Sequence, residues 1–356
     1  MMTSRNMILV LALTLAVFGI VMIYSASFIA AENSNKFPDG YFFLRKQIVW
    51  LMISLLGLFL ASQIDFRFWR RVAIPFLAVC MVLLCVVLVP GVGTQVGGAR
   101  RWLRFGALGF QPSEMTKLAV VIFMGWFCAR DPKRVRRFFS GFVLAMVVLG
   151  MTCGLVLLEP DIGTAFFIGL MGCSLFVIGG GRLAFILPSV ALAVPCGYFA
   201  LMTFFPHARD RITTFLNPDL DPLGKGHQIK QSLIALGSGG DFGVGLGMSR
   251  QKLLFLPEEH TDFIFSVIGE ELGFAGAIAV ILLFVLLFWY ATKVALGTRD
   301  PFARVVAFGI GLWTACQAAF NIAVASAAIP TKGISLPFIS FGGSHLFCSF
   351  VAIGVL

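Results

Sequence analysis

Charged residues are scarce in this chain: Asp, Glu, Lys and Arg make up 12% of its 356 residues, about half the share found in a soluble domain. This shortage excludes an ordinary soluble globular protein and a highly charged disordered chain. Tyr is also rare, with 4 residues, whereas Phe and Gly occur 38 times each. Apolar bulk combined with abundant Gly is typical of helices that pack closely in lipid. The composition therefore predicts a single polytopic membrane domain over residues 1–356.

The eight cysteines lack the spacing of a metal site. None belongs to a Cys-x-x-Cys pair, and all lie within or at the end of apolar stretches. They are interpreted as small buried apolar residues, neither ligands nor disulfide partners.

Ten apolar stretches can cross a bilayer as helices, so the predicted fold class is all-α with about ten transmembrane helices. The first stretch could also be a signal peptide, because Ala30 and Ala31 follow it, but its long apolar core favours an uncleaved anchor. The stretches cover residues 8–28, 47–63, 72–90, 115–129, 141–158, 162–180, 183–205, 263–295, 303–325 and 333–356.

The charges are distributed unevenly between the two sides of these helices. The N-terminus and the even-numbered loops hold 13 Lys and Arg against three acids, which accounts for the whole net charge of +10. The positive-inside rule makes that side cytoplasmic. The basic residues therefore set orientation and do not indicate nucleic-acid binding. The long loop at residues 206–262 lies on the outer side, and a loop of this length is usually functional.

Cations gather on the outer side between the third and fourth predicted helices. Arg100, Arg101 and Arg104 precede the motif Gln-Pro-Ser-Glu that ends at Glu114, and Lys117 follows. Glu114 and Lys117 share one helix face because they are three positions apart. Lys117 could extend to water near a helix end, but a charge within a membrane helix usually faces a cavity, and we favour that interpretation.

Three other outer motifs have both a structural and a functional interpretation. Glu159-Pro-Asp161 forms a turn whose acids could cap a helix or bind a ligand. Residues 237–247 are rich in Gly and could approach a ligand closely or simply be flexible. Asp219 and Asp221 have the spacing of a metal-binding pair, but the Asn and Pro beside them favour a turn.

The most specific motif ends the long loop. Residues 256–262 read Leu-Pro-Glu-Glu-His-Thr-Asp, and apolar Phe263 follows. If Pro257 begins a helix, Glu258 and Asp262 lie one turn apart, with Asp262 at the membrane boundary. Partial desolvation raises the pKa of a carboxylate towards neutrality, which suits a general base. A first-turn carboxylate that stabilises the helix dipole is the alternative, but the cluster of acids, His and Thr favours function.

Pro and Gly interrupt the tenth predicted helix over residues 330–344, where Lys332 is the only Lys or Arg. Such an interruption is typical of a cavity lining or of a broken entry to the last helix. Together, the outer cations suit a lipid-linked phosphate, and Asp262 suits deprotonation of an acceptor hydroxyl. The residues alone thus predict a transferase or a transporter for a lipid-phosphate substrate.

These motifs resemble those of the SEDS family (shape, elongation, division and sporulation), whose members are membrane glycosyltransferases that polymerise peptidoglycan from lipid II. The residues at 243–247 and 251–257 resemble the division branch (FtsW type), and the elongation branch (RodA type) is the nearest alternative. His345 stands where the family usually has Ser. The resemblance covers nearly the whole chain and is most specific at residues 99–102, 111–117, 159–161, 228–231, 256–271 and 331–344.

The resemblance implies an inverting glycosyltransferase in which Asp262 is the base on the 4-hydroxyl of the acceptor sugar. Arg101, Lys117 and Lys332 are the candidates for the pyrophosphate of the donor. The other substrate-binding residues that it implies are Gln111, Ser113, Glu114, Gln228, Gln231, Glu258, His260, Thr261 and Ser340.

The resemblance also implies a cofactor, partners and a location. A divalent cation, Mg²⁺ or Mn²⁺, is a candidate near Asp262 or Glu258, and no organic cofactor is expected. Lipid II is the expected substrate, and a class B penicillin-binding protein with a transpeptidase domain is the expected partner, with other membrane proteins of the division machinery. The expected location is the bacterial cytoplasmic membrane at the septum. A lipid II flippase and a non-catalytic scaffold are the alternatives.

Overall fold

The computed structural model describes a largely helical chain. It covers residues 3–32, 39–96, 99–106, 108–204, 206–221, 224–252 and 260–356. The helices are α1 (Ser4–Glu32), α2 (Phe42–Gln63), α3 (Phe66–Leu88), α4 (Pro112–Arg130), α5 (Pro132–Val135), α6 (Leu144–Leu158), α7 (Ile162–Ile178), α8 (Leu183–Phe204), α9 (Pro206–Leu216), α10 (Lys225–Ser238), α11 (Ile264–Gly297), α12 (Pro301–Ala325) and α13 (Gly343–Val355).

Ten of these helices coincide with the ten predicted apolar stretches, which confirms a multi-pass α-helical membrane protein. Six of them are individually long and apolar enough to cross a bilayer, and α7, α8 and α13 are shorter apolar helices. The central helix is α4, which packs against α3, α7, α12 and α13. Almost all of its residues are buried, including the charged Glu114 and Lys117.

A small sheet on the outer side was not predicted. Strands β1 (Gly93–Val96), β2 (Ala99–Phe105) and β3 (Leu108–Phe110) pair antiparallel in that order. The register places Leu103 of β2 opposite both Gly93 and Phe110. These strands are short and contain several polar residues, so their pattern resembles an ordinary polar loop.

Two sequence predictions need correction, and the predicted outer loop contains helices of its own. The tenth helix begins at Gly343 and not at residue 333, because Pro337 cannot donate an amide hydrogen and Phe338 has a positive φ of 64°. The long outer loop is partly helical, since it contains α9, α10 and a 3₁₀ turn at Pro218–Leu220. Cys85 and Cys196 are exposed, so the prediction that all eight cysteines are buried is wrong for these two.

The predicted helix at residues 263–295 is divided by a break at Gly273, which has φ 69° and ψ −167°. A Gly-rich segment fills the break: the amides of Phe274 and Ala275 donate to the carbonyl oxygens of Gly240 and Asp241 at 2.8 and 3.0 Å. A Cβ on Gly273 would collide with the backbone of Gly243. Gly239 and Gly243 are therefore explained by close contact with the backbone of α11.

Two adjacent buried acids fix the chain just before the final part of the loop. Glu270 accepts hydrogen bonds from the hydroxyl of Ser249 and from the amide of Arg250. Glu271 pairs with Lys252 at 2.9 Å, and Ser25 of α1 donates to the same carboxylate. Residues 249–252 are thus attached to α11 about two turns below its start.

We expect Gly273→Ala to destabilise the protein, because only Gly adopts this backbone conformation without strain, which alone costs about 1–3 kcal/mol, and because the added Cβ has no room. Thermal unfolding in detergent should show a clearly lower midpoint. Gly237→Ala is the matched control, since a Cβ there would have no described atom within 4 Å and Ala favours a helix. Equal midpoints for the two variants would contradict the proposed role of the break.

Candidate active site

A cavity of about 580 Å³ opens at the outer ends of the helices. Four helices, α4, α7, α11 and α13, begin at this cavity, and all four run from the outer face inwards. Each helix N-terminus carries partial positive charge and unpaired amide hydrogens, which favour an anion. The side chains that line this outer cavity include Lys46, Trp50, Arg101, Trp102, Arg104, Gln111, Glu114, Lys117, Asp161, Thr164, Thr261, Asp262, Gln317, Ser335, Phe341 and His345.

Lys117 lies in the lining of the cavity and does not extend to the water. Its side chain is only 3% exposed, and its Nζ contacts Glu114 at 2.8 Å and the Oε1 of Gln317 at 2.9 Å. The ring of Trp313 lies 5.3 Å from the same Nζ. The ammonium group is therefore held in one place by a carboxylate, an amide and an aromatic face.

His345 and Gln317 extend this network, and the sequence analysis did not assign either of them to the site. The Nδ1 of His345 lies 2.8 Å from a carboxylate oxygen of Glu114. Gln317 also donates from its amide to the carbonyl oxygen of Ser335 at 3.1 Å. In each case the signal in the sequence was a polar residue within an apolar helix. Such a residue is energetically unfavourable in lipid unless it is paired.

Arg101 connects the small sheet to the turn between α6 and α7. Its Nε and Nη2 donate to the carbonyl oxygens of Glu159 and Pro160 at 3.0 and 2.6 Å, and its Nη1 lies 3.7 Å from Asp161. The carboxylate of Asp161 accepts from the amide of Thr164 and so caps α7. The two interpretations of this turn are thus compatible, because Asp161 caps a helix and also lines the cavity.

Glu159 is fully buried, and neither carboxylate oxygen has a hydrogen-bond partner in the described part of the chain. Burial raises the pKa of Glu159 to about 8, and the negative charge of Asp161 adds to this effect, while Arg101 opposes it. The group is therefore mainly protonated in the folded protein at neutral pH.

This pKa predicts a pH dependence of stability. An acid whose pKa is raised on folding stabilises the folded state fully below its unfolded pKa, and that contribution is lost as the pH rises from about 4.5 to about 8, with a slope of at most about 1.4 kcal/mol per pH unit. We expect Glu159→Gln to reduce the loss of thermal stability between pH 5 and pH 8. Asp219→Asn, at an exposed acid, should leave the loss unchanged. A Glu159→Gln variant with the wild-type pH profile would show that Glu159 is already ionised.

Asp262 lies in the cavity lining on a segment held by three hydrogen bonds. The amide of Asn321 donates to the carbonyl oxygen of Asp262 at 2.9 Å. Ser340 donates to the carbonyl oxygen of Thr261 at 2.6 Å, and the amide of Phe341 donates to that of His260 at 2.9 Å. Residues 260–262 are thus bound to α12 and to the irregular segment before α13, so the backbone of Asp262 has a defined position.

Two cations lie beside the cavity, outside its lining set. Lys332 packs its Nζ 4.8 Å from the ring of Phe166, and burial lowers its pKa, helped by the charge of Arg211 and opposed by Asp161. Arg211 of α9 was not predicted. Burial lowers the pKa of Arg211 most, and the charge of Arg101 lowers it further, while Asp161 and Asp262 raise it. Arg211 therefore interacts electrostatically with both carboxylates.

The structure places the predicted site residues at different distances from the cavity lining. Arg101, Gln111, Glu114, Lys117, Thr261 and Asp262 line the cavity, and Lys332 lies beside it. Ser113 is fully buried, Ser340 has a structural hydrogen bond, and the ring of His260 packs against Phe43. Gln228 and Gln231 lie on α10, outside the cavity lining, and Glu258 lies outside the described residues.

The described residues do not fit a metal site made by the protein alone. Among them there is no group of three or more His, Cys, Asp or Glu that could hold an ion. The chemistry proposed for this site rests on its side chains. A carboxylate faces a region of positive charge, which suits removal of a proton from one group and stabilisation of negative charge on another.

The fold and the site define a class: a multi-pass membrane protein with a cavity at one end of its helices that combines a carboxylate with cations. Comparison with known proteins then gives the family. The FtsW, RodA and SpoVE family model, described as "Cell cycle protein", matches residues 5–356. The chain belongs to this family, and the resemblance to SEDS proteins is confirmed.

Relatives match over nearly their full length. The chain is 43% identical to the "Probable peptidoglycan glycosyltransferase FtsW" of Trichlorobacter lovleyi, over 98% of this chain and 91% of that protein. It is 40% identical to "Stage V sporulation protein E" of Bacillus subtilis, over 99% and 96% of the two chains.

Solved structures share the fold. One, described as "Structural coordination of polymerization and crosslinking by a peptidoglycan synthase complex", has a TM-score of 0.75 and 27% identity, over 95% of this chain and 94% of that chain. The rod shape determining protein RodA of Thermus thermophilus has a TM-score of 0.70 and 27% identity, over 98% and 93%.

Proposed function

We propose that this protein is a peptidoglycan glycosyltransferase that polymerises lipid II at the outer face of the cytoplasmic membrane. The observation that carries the proposal is the position of Asp262 in one cavity with Arg101 and Lys117, at the N-termini of four inward-running helices. The names of the relatives support the same activity.

We assign one role to each side of the cavity. Asp262 accepts the proton of the acceptor's 4-hydroxyl. The oxygen of that hydroxyl attacks the anomeric carbon of the donor from the side opposite the leaving group. The bond from that carbon to the pyrophosphate oxygen breaks, and the electron pair leaves with the pyrophosphate. Arg101, Lys117 and the helix N-termini stabilise this negative charge. Direct displacement at an α-linked donor inverts the configuration and gives a β-linkage.

A divalent cation remains part of the proposal only as a companion of the substrate. Mg²⁺ or Mn²⁺ would bind mainly through pyrophosphate oxygens, since the described residues supply no complete ligand set. It would add further charge stabilisation when bound.

A flippase is the second candidate, and the distribution of buried charge disfavours it. The buried Asp, Glu and Lys of the described chain are Glu114, Lys117, Glu159, Asp161, Lys252, Glu270 and Glu271. All of them lie towards the outer ends of the helices or in outer segments. A path for a charged headgroup across the bilayer would need polar groups at mid-membrane depth.

We further propose a role at the division septum, with a class B penicillin-binding protein and other membrane proteins of the division machinery as partners. The FtsW names of the relatives support the division branch, and RodA-type elongation is the alternative. Likeness to a peptidoglycan synthase complex that couples polymerisation to crosslinking supports a transpeptidase partner.

Purified protein with lipid II tests the activity directly. We expect glycan polymers on a gel in the presence of the transpeptidase partner with its own active site blocked. The same protein in vesicles measures lipid II movement across the bilayer. Movement of lipid II without polymer would support the flippase. Absence of both movement and polymer would support the non-catalytic scaffold.

A further inference from the structure

The Gly-rich segment that fills the break in α11 carries an exposed apolar surface outside the active site. In residues 240–248, here named the interfacial loop, glycines alternate with apolar residues. Phe242 is 86% exposed. Val244, Leu246 and Met248 are exposed as well. Exposed apolar groups in a contiguous set mark a contact with a membrane or a protein.

The break in α11 places this loop at a definite depth. Below Gly273, the segment 274–297 has 24 residues, about 36 Å of helix, which is enough to cross a hydrocarbon core of about 30 Å. Its inner end carries Lys293 and approaches the basic cytoplasmic side. Phe274 therefore lies at the outer boundary of the bilayer.

The interfacial loop lies at the same level as Phe274. The amides of Phe274 and Ala275 donate to Gly240 and Asp241, and the amide of Val244 donates to the carbonyl oxygen of Glu270 at 3.0 Å. These bonds attach the loop to the turn of α11 that enters the lipid.

The direction of α10 supports this placement. Ser232 of α10 contacts Ser266 at 2.6 Å, and Gly239 lies against the backbone of Gly269. Hence α10 runs towards the membrane alongside the first part of α11. The loop that follows α10 lies at the membrane end of this paired segment.

The exposed side chains continue a surface that already faces lipid. Phe274, Val285 and Trp289 are exposed on one side of α11, because their spacing of 11 and 4 residues returns to the same face. Phe242 is next to Asp241, whose carbonyl oxygen accepts from Ala275, so it lies beside the upper end of this stripe. The loop contains one charged side chain, Asp241, before Arg250.

We propose that the interfacial loop inserts its apolar side chains into the outer leaflet, and that its partner is the lipid surface itself. Burial of these side chains in the headgroup region removes apolar area from water. The contact fixes the depth of the first part of α11, at whose start Asp262 lies. The membrane contact does not depend on the proposed enzymatic activity.

Fluorescence quenching in nanodiscs tests this contact. An environment-sensitive fluorescent amino acid replaces Leu246, and the nanodiscs contain phosphatidylcholine brominated near the headgroup end of the acyl chains. We expect blue-shifted emission and strong quenching. The same probe at Leu220, an exposed apolar position beside Asp219, is the matched control, since Asp219 pairs with Lys230 in the upper half of α10. It should give water-like emission with several-fold weaker quenching.

A second variant tests the role of Phe242. With the probe at position 246, Phe242→Glu should weaken the quenching several-fold, while Leu220→Glu should leave it unchanged. Water-like, unquenched emission at position 246 would overturn the proposal. Emission that shifts to the blue only after a transpeptidase partner is added would also overturn it, because the surface would then contact protein.

Discussion

Asp262→Asn is expected to abolish glycan polymerisation while leaving the fold intact. A general base contributes about 10²- to 10⁴-fold to the rate, and Asn has nearly the same shape as Asp but cannot accept the proton. The backbone of this residue is held by Asn321 through its carbonyl oxygen, which the substitution does not alter. The measurement is the yield of polymer from lipid II over time, together with the thermal unfolding midpoint.

Asp219→Asn is the matched control for this experiment. Asp219 is a carboxylate of the same outer loop, but it is exposed, pairs with Lys230 and lies outside the cavity lining. It should retain wild-type polymerisation. Polymer formation by Asp262→Asn at a rate near wild type would remove Asp262 from the role of base, whatever the control shows.

Lys117→Met is expected to lower both activity and stability. The substitution leaves the buried Glu114 without its ammonium partner, and removing one member of a buried ion pair costs about 3–5 kcal/mol. Loss of one group that stabilises a leaving anion should also reduce the rate by about 100-fold. The midpoint of unfolding and the polymerisation rate report these two effects.

The double variant Glu114→Gln with Lys117→Met separates the two roles. It contains no unpaired buried charge at this place, so the unfolding midpoint should recover towards that of the wild type. The polymerisation rate should stay low, because the positive charge is still missing. Recovery of the rate together with stability would mean that Lys117 serves the fold alone.

The sequence predicted the helical architecture well because the physics of lipid acts locally. A backbone in hydrocarbon must satisfy its hydrogen bonds within the segment, so each apolar stretch became a helix. The charge asymmetry predicts the orientation by a similarly local rule. The boundaries failed where local rules compete, as at Pro337 before α13 and at Gly273 within α11.

The candidate site was predictable only in part. Arg101, Lys117 and Asp262 belong to motifs of unusual composition, and each lines the cavity. Gln317 and Arg211 do not belong to such motifs, since Gln317 lies in an apolar helix and Arg211 in an amphipathic one, although Gln317 also lines the cavity. The relevance of Gln317 comes from its contact with Lys117, 200 positions away in the sequence. That of Arg211 comes from its place near Asp161 and Asp262. No local pattern reveals either of them. Gln228 and Gln231 show the converse, because motif membership did not place them in the lining.

The four helices whose beginnings surround the cavity are spread from Pro112 to Gly343. Synthesis therefore supplies the parts of this pocket at widely separated times, and α13 brings His345 to Glu114 only after the other three helices have been made. Before α13 enters the bilayer, Glu114 lacks one of its partners and the pocket lacks the lining residues of α13. We therefore expect a nascent chain without α13 to be inactive.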